Sequence, residues 1–212
     1  MAQPHNSPDN SPYERETAPV LMIISGPSGV GKDALVERMK EQGCPFFFVV
    51  TATDRPPRPG EVPGQDYTFY STAEFERMIA AGEMLEHAMV YGQHKGIPRA
   101  HVRQALDSGQ DVMMRLDIQG ARTVKSLLPS AVSVFVLPES EEELIARLRK
   151  RRTESEDALQ QRLAMVREEL GRLPEFDYAV VNRHGCLDRA VEDVMAILRA
   201  EHCRTMPRRV SL

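Results

Sequence analysis

Eight residues constrain this chain more than any others. Gly26-Pro27-Ser28-Gly29-Val30-Gly31-Lys32-Asp33 stand between an apolar run, Val20-Leu21-Met22-Ile23-Ile24-Ser25, and a helical pattern, Ala34-Leu35-Val36-Glu37-Arg38-Met39. A short unbroken apolar run fits a strand buried on both faces, as in a parallel sheet. The turn that follows matches G-x-x-x-x-G-K, the phosphate loop, at every place but the last, where Asp33 takes the position of a Ser or Thr. Glycines let successive backbone N–H groups converge on an anion. The helix starting near Gly31 adds the positive end of its dipole, and Lys32 brings a mobile charge for terminal phosphates. Gly26, Ser28, Gly29, Val30, Gly31, Lys32 and Asp33 are therefore candidate phosphate-binding residues. A hydrolase elbow is excluded, because it needs Gly two places after its Ser and Val30 stands there. Asp33 has two readings: a hard oxygen ligand for Mg²⁺, or a first-turn carboxylate that complements the helix dipole.

The rest of the chain alternates strands and helices. Apolar runs at 46–51, 84–91, 111–116, 131–137 and 177–182 read as strands. Ser71-x-x-Glu74, Ser140-x-x-Glu143 and Thr153-x-x-Glu156 read as capping boxes that open helices, and Gly82 closes the first of them. Pro98 suits the first turn of another helix. Leu187 to Cys203 is the last helix. The pattern predicts an α/β fold whose mostly parallel sheet is covered by helices. Residues 51–97, rich in loops, and 147–168, charged and helical, read as insertions at the sheet edge, where such sheets hold ligands. The expected core is 19–50, 98–146 and 169–205. Residues 1–18, rich in Pro, Asn and Ser, read as a disordered tail, and 206–212 as a C-terminal tail.

Composition narrows the function. The chain has 212 residues and a net charge of −4, from 27 basic and 31 acidic side chains. A protein that coats nucleic acid carries a basic domain, so small anions met by local basic clusters are the expected partners. No stretch approaches 18 uncharged apolar residues, which excludes a membrane helix. Three widely spaced cysteines, Cys44, Cys186 and Cys203, offer no disulfide framework or zinc pair. With no apolar leader in the first residues, a cytoplasmic setting is expected.

GPSGVGK, TATDRPPRPGE, GQDYTF, GEMLEHA, LDIQGA, RLRKR and FDYAVVN follow one another in an order and spacing that resemble the guanylate kinase family, over residues 20 to about 203. The variants GKDA, KGIP and the LRxDIQGA-like strand are most similar to the plant organellar branch and its bacterial relatives. The resemblance implies a phosphate-loop nucleoside monophosphate kinase fold, with 51–97 as a GMP-binding lobe and 147–168 as a helical lid. It implies ATP and Mg²⁺ at the loop, GMP as acceptor, neither nucleic acid nor membrane as partner, and a monomer or homodimer.

The same resemblance assigns residues. Arg55 and Arg58 are the arginines that grip the acceptor phosphate, which suits their forked geometry, and Tyr67 is a phosphate-binding tyrosine. Lys95 takes the place of a second one. Glu86 is the guanine-reading carboxylate: it can accept from N1–H and the exocyclic amine together, whereas adenine would leave it unpaired. Thr51 stands for a Ser, Ile97 for a Ser or Thr, and Asp117 matches a second acidic position, while Arg115 replaces another Asp. Arg147, Arg151 and Arg162 match lid arginines that reach the transferring phosphoryl group. Asn182 matches a residue near the ATP base, or serves as a strand-end turn residue.

Other readings stay open at this point. Arg55-Pro56-Pro57-Arg58-Pro59 also suits a polyproline segment or an SH3-type ligand. A ribose 1,5-bisphosphate kinase shares Asp after the loop lysine, and a non-catalytic binding module shares the fold.

Overall fold

Alternation along single strands shows how the sheet is buried. In β1 (Leu21–Ser25), Met22 and Ile24 enter one apolar cluster while Leu21 and Ile23 enter another. Side chains of period two thus fill both faces, which only a sheet covered on both sides permits. The computed structural model describes residues 17–90, 92–151 and 156–212. The expected tail at 1–18 falls almost wholly outside the described residues, as does the start of the capping box at Thr153.

β1 leads through the glycine loop into α1 (Lys32–Glu41) and then β2 (Phe46–Phe48). β7 (Asp111–Arg115), β8 (Val132–Pro138) and β9 (Tyr178–Asn182) complete a five-stranded sheet ordered β2-β7-β1-β8-β9, with every pairing parallel. β1 lies at the centre, and successive crossovers leave it toward opposite edges. The crevice beyond its C-terminal end is where an open parallel sheet holds ligands, and the glycine loop sits there.

A second sheet, ordered β4-β3-β6-β5, is built from β3 (Ala52–Thr53), β4 (Thr68–Phe69), β5 (Met84–Val90) and β6 (Gln93–Pro98). The sequence reading missed β6, because Gln93-His94-Lys95-Gly96 has no apolar alternation. Its ladder comes from antiparallel pairing with β3 and β5. α2 (Thr72–Ala80) closes this sheet through Phe75 and Met78. Its capping box is complete between Ser71 and Glu74, and Gly82 follows it at φ 67°.

α3 (Arg99–Asp107) and α4 (Ile118–Leu127) cover one face of the large sheet. α5 (Glu141–Arg151), α6 (Glu156–Leu170) and α7 (Leu187–His202) lie with α1 on the other. The expected lid carries core residues: Leu148, Leu163 and Val166 are buried in the cluster around Met22 and Ile24. The capping box expected at Ser140 forms only in part. Ser140 Oγ accepts the Glu143 N–H at 3.2 Å, but the Glu143 carboxylate turns to Arg147 one helical turn on. The expected C-terminal tail, 206–212, lies against the core. Val210 and Leu212 pack on the α3–α4 side of the core, and Arg208 pairs with Glu201 at 3.1 Å.

Candidate active site

The glycine loop owes its shape to three residues of positive φ, Gly26, Gly29 and Gly31, at 139°, 87° and 93°. All three also allow close approach, and a Cβ on Gly29 would lie 2.7 Å from the Leu148 side chain. A Cβ on Gly26 would collide with the Val136 carbonyl, and one on Gly31 with the Asn182 amide. Asn182, buried at the end of β9, donates from Nδ2 to the Val30 carbonyl at 2.8 Å. Its amide is committed to bracing the loop, a role that neither expected reading of Asn182 contained. Arg147 braces the same carbonyl at 3.0 Å, donates to the Asn182 carbonyl at 2.9 Å, and is paired with Glu143 at 2.6 Å. It was expected over the transferring group. It meets the loop instead through carbonyl oxygens, the opposite end of the peptide dipole from the N–H groups that hold phosphate. Arg151 ends α5 and Arg162 lies within α6, but their side chains fall outside the described residues.

Inside the loop, Lys32 Nζ donates to the carbonyls of Gly26 at 2.5 Å and Pro27 at 2.9 Å. Burial lowers its pKa to about 8, against the opposing pull of Asp33 and Glu169. Glu169 Oε2 accepts the Ser28 N–H at 3.3 Å. A carboxylate from α6 thus meets the loop where an anionic oxygen is wanted, a contact the sequence reading missed. The Ser25 hydroxyl, at the root of the loop, is buried and has no hydrogen-bond partner among the described residues.

The second cluster surrounds Tyr67. The guanidinium of Arg55 lies 4.9 Å from the ring centre, Lys95 Nζ 5.8 Å and the guanidinium of Arg115 5.9 Å. Three cations from separate segments therefore converge on one phenol. Burial alone would raise the Tyr67 pKa, but Arg115, with help from Lys95, outweighs it and holds the phenol below its usual range. Arg115 Nη2 is 3.4 Å from the Tyr67 hydroxyl, and its Nη1 is paired with the Asp33 carboxylate.

Arg55 is buried, and its fork is filled by Glu61 at 2.5 and 2.7 Å. The Glu61 carboxylate, which also takes the Arg58 N–H at 2.7 Å, is held near pKa 2 by Arg55. The expected pair of arginine prongs is therefore split. Arg55 is inside and occupied by an internal carboxylate, while Arg58 is exposed. Glu61, two residues past Pro59, was quoted in the motif but given no role.

Glu86, on β5, is 8% exposed and accepts no hydrogen bond from the described residues. An irregular register between Met84 and Glu86 interrupts the strand just before it. Its carboxylate sits against Gly120, where a Cβ would be 2.9 Å from Oε2, so only glycine lets it seat there. Burial, reinforced by Asp117, raises its pKa to about 7. Asp117 caps α4 by accepting the Gly120 N–H at 2.7 Å. Ile97, fully buried, is the cross-strand neighbour of Glu86 and adds to its apolar surroundings. A cleft of about 540 Å³, lined among others by Asp33, Thr51 and Arg115, opens between α1, the β2–β7 edge of the large sheet and the loop at 64–66. Among the described residues no group of three or more His, Cys, Asp or Glu is placed to hold a metal ion unaided.

Over most of its length the chain is similar to known guanylate kinases. The guanylate kinase family model matches residues 18–201. A rice protein, guanylate kinase 2, chloroplastic/mitochondrial, from Oryza sativa subsp. japonica, is 46% identical over 204 residues, covering 96% of this chain and 72% of its own. The guanylate kinase of Gloeobacter violaceus is 44% identical over 92% of both chains. The crystal structure of guanylate kinase from Anaplasma phagocytophilum superposes with a TM-score of 0.69 at 29% identity, covering 90% of each chain. With a loop shaped for phosphate, a basic cluster facing it and a sequence match over nearly its whole length, this chain belongs to the guanylate kinase family.

Proposed function

We propose that the protein transfers the γ-phosphoryl group of ATP to GMP or dGMP, giving ADP and GDP. The observation that carries the choice of acceptor is Glu86, a carboxylate buried in the lobe that accepts no hydrogen bond from the described residues, close to a Tyr67 met by Arg55, Lys95 and, from β7, Arg115. Guanine presents two adjacent N–H donors to such a group; adenine presents none at N1.

ATP binds the backbone N–H groups of Gly26 and of Ser28 to Lys32. To do so it displaces the Glu169 carboxylate from Ser28 and draws Lys32 off the Gly26 and Pro27 carbonyls. GMP occupies residues 51–97, with Thr51, Glu86 and Asp117 toward the base and Arg55, Arg58, Tyr67 and Lys95 toward its phosphate. A GMP phosphate oxygen attacks the γ-phosphorus in line. The new P–O bond forms as the β,γ-bridging bond breaks, and its electron pair leaves on ADP. Little proton chemistry is needed, so positioning and charge supply the rate. Arg151 and Arg162 are our lid arginines for the transferring group, and Arg147 holds the loop in shape. Closing the two lobes excludes water, which favours transfer over hydrolysis.

The donor set fits Mg²⁺. Asp33 is the hard oxygen beside the loop, and a cation with one protein carboxylate completes its shell from substrate phosphates and water. When bound, the ion would neutralise charge on the phosphates. An Asp33→Ala variant is expected to need about tenfold more Mg²⁺ for half-maximal rate, and an unchanged Mg²⁺ curve would remove Asp33 from that role.

We place the enzyme in the cytoplasm, as a monomer or homodimer without nucleic acid or membrane partners. The three free thiols support a reducing compartment, and the described helices include none long and apolar enough to cross a membrane. Cell fractionation with size-exclusion chromatography tests this. A coupled assay offering GMP, dGMP, AMP and ribose 1,5-bisphosphate tests the reaction. Turnover with the guanine nucleotides supports it, and turnover confined to the sugar would replace it with a sugar-phosphate kinase.

A further inference from the structure

Two departures from the family pattern, at positions 82 residues apart, meet in space. Asp33 stands where a hydroxyl is usual and Arg115 where an Asp is usual, and the two form an ion pair between the phosphate loop and the Tyr67 cluster. Arg115 ends β7, in the parallel ladder beside β1, so a rigid element aims it at the crevice. Its side chain remains 27% exposed and lines the cleft of about 540 Å³.

The charges near Tyr67 are unequally available. Both terminal nitrogens of Arg55 are taken up by Glu61, one of them also donating to the Pro56 carbonyl. Lys95 contributes a point charge, 5.8 Å from the Tyr67 ring centre. Arg115 has one terminal nitrogen on Asp33, a side chain that is 62% exposed, and the other 3.4 Å from the Tyr67 hydroxyl. An anion accepting a hydrogen bond from that hydroxyl would lie about 2.7 Å from it, within reach of the same guanidinium. A fork facing a phosphate offers two parallel charge-assisted bonds, which a single exposed carboxylate in water does not outbid.

We propose that Arg115 is a further acceptor-binding residue. It leaves Asp33 to grip the phosphate of the incoming nucleoside monophosphate as the acceptor arrives. This rests on the reading that GMP occupies the second lobe. The two departures then act as one device: the added cation serves the acceptor, and the added anion holds it in place until the acceptor comes.

Calorimetric titrations of GMP and of guanosine, without ATP and in excess EDTA, test this on the parent, Arg115→Met and Asp33→Asn. Both substitutions break the same ion pair, so a pair that merely braces the fold predicts effects of one sign. Our account predicts opposite signs. Arg115→Met weakens GMP about tenfold or more, the loss of one forked phosphate contact, with guanosine changed less than about twofold. Asp33→Asn tightens GMP, because Arg115 no longer has to be released. GMP unaffected by Arg115→Met, GMP and guanosine weakened in step, or GMP weakened by both substitutions would each overturn the proposal. If Arg115→Met fails to fold, Asp33→Asn alone decides: tighter GMP supports the proposal, and weaker or unchanged GMP overturns it. A parent that binds GMP no better than guanosine would defeat the acceptor reading as well, an outcome distinct from a parent that prefers GMP while Arg115→Met keeps that preference.

Discussion

The donor loop and the acceptor lobe both gather anion-binding groups, yet they are built in opposite ways. The loop is one continuous stretch of main chain. Its shape is set by glycines at positive φ, one of them packed against β8, and by braces from β9 and α5 that reach the Val30 carbonyl. The acceptor side gathers Arg55 and Lys95 of the lobe and Arg115 of β7 around Tyr67, and two of these cations are paired with carboxylates. A site made of N–H groups has fixed charges and needs only a small internal plug, Glu169 at Ser28. A site made of side chains holds its mutually repelling cations apart with counter-charges, Glu61 and Asp33, so substrate binding there is an exchange of ion pairs.

The largest effect should come from removing the one mobile charge in the fixed site. Lys32→Met is expected to lower kcat by about 10³-fold or more, the scale of one lost transition-state stabiliser in a phosphoryl transfer. A loss under about tenfold would mean that the loop does not hold the reacting phosphates. Glu86→Gln is expected to reduce kcat/KM for GMP by about 10²-fold, as when a buried reader of N–H donors loses its charge. It also carries a pH test with a definite sign. Burial raises this carboxyl from 4.5 to about 7, so the ligand-free protein is protonated below neutrality and must ionise to accept from guanine. Guanosine affinity should rise with pH up to about 7, by nearly tenfold per unit well below it, and level off above. Guanosine has no phosphate to titrate, so a flat profile for the parent, or one kept by Glu86→Gln, would refute Glu86 as the base reader.

A smaller effect separates the regions by stability. Gly31→Ala combines a left-handed φ with a collision at Asn182 and is expected to destabilise by about 3 kcal/mol. Gly60→Ala in the lobe also has a left-handed φ, 88°, but open space around its Cβ, and should lose only about 1–2 kcal/mol. Equal losses in thermal unfolding would remove the contrast between a braced loop and a loosely packed lobe.

What could be read from residue order follows the same division. The phosphate loop was legible outright, since strand, glycines, lysine and helix are neighbours. The large sheet was legible because strands buried on both faces give unbroken apolar runs. The second sheet was legible only in part. β3 and β4 are two residues long, and β6 takes its pairing from neighbours rather than from its own pattern. Arg55, Lys95 and Arg115, all named through the family resemblance, lie around Tyr67, but their partners were not named, because a resemblance gives positions and not ion pairs. Glu61 on Arg55 and Asp33 on Arg115 arise from folding. Only the second left a trace beforehand, as two departures of opposite sign.

The most direct test of the central claim follows the transferred atom. ATP labelled in its γ-phosphoryl group is incubated with the protein and GMP, and the nucleotides are separated. The account predicts label in the β-phosphoryl group of GDP, in step with ADP formed, and little release as free phosphate. Label recovered mainly as free phosphate, or remaining in ATP while GMP persists, would contradict it.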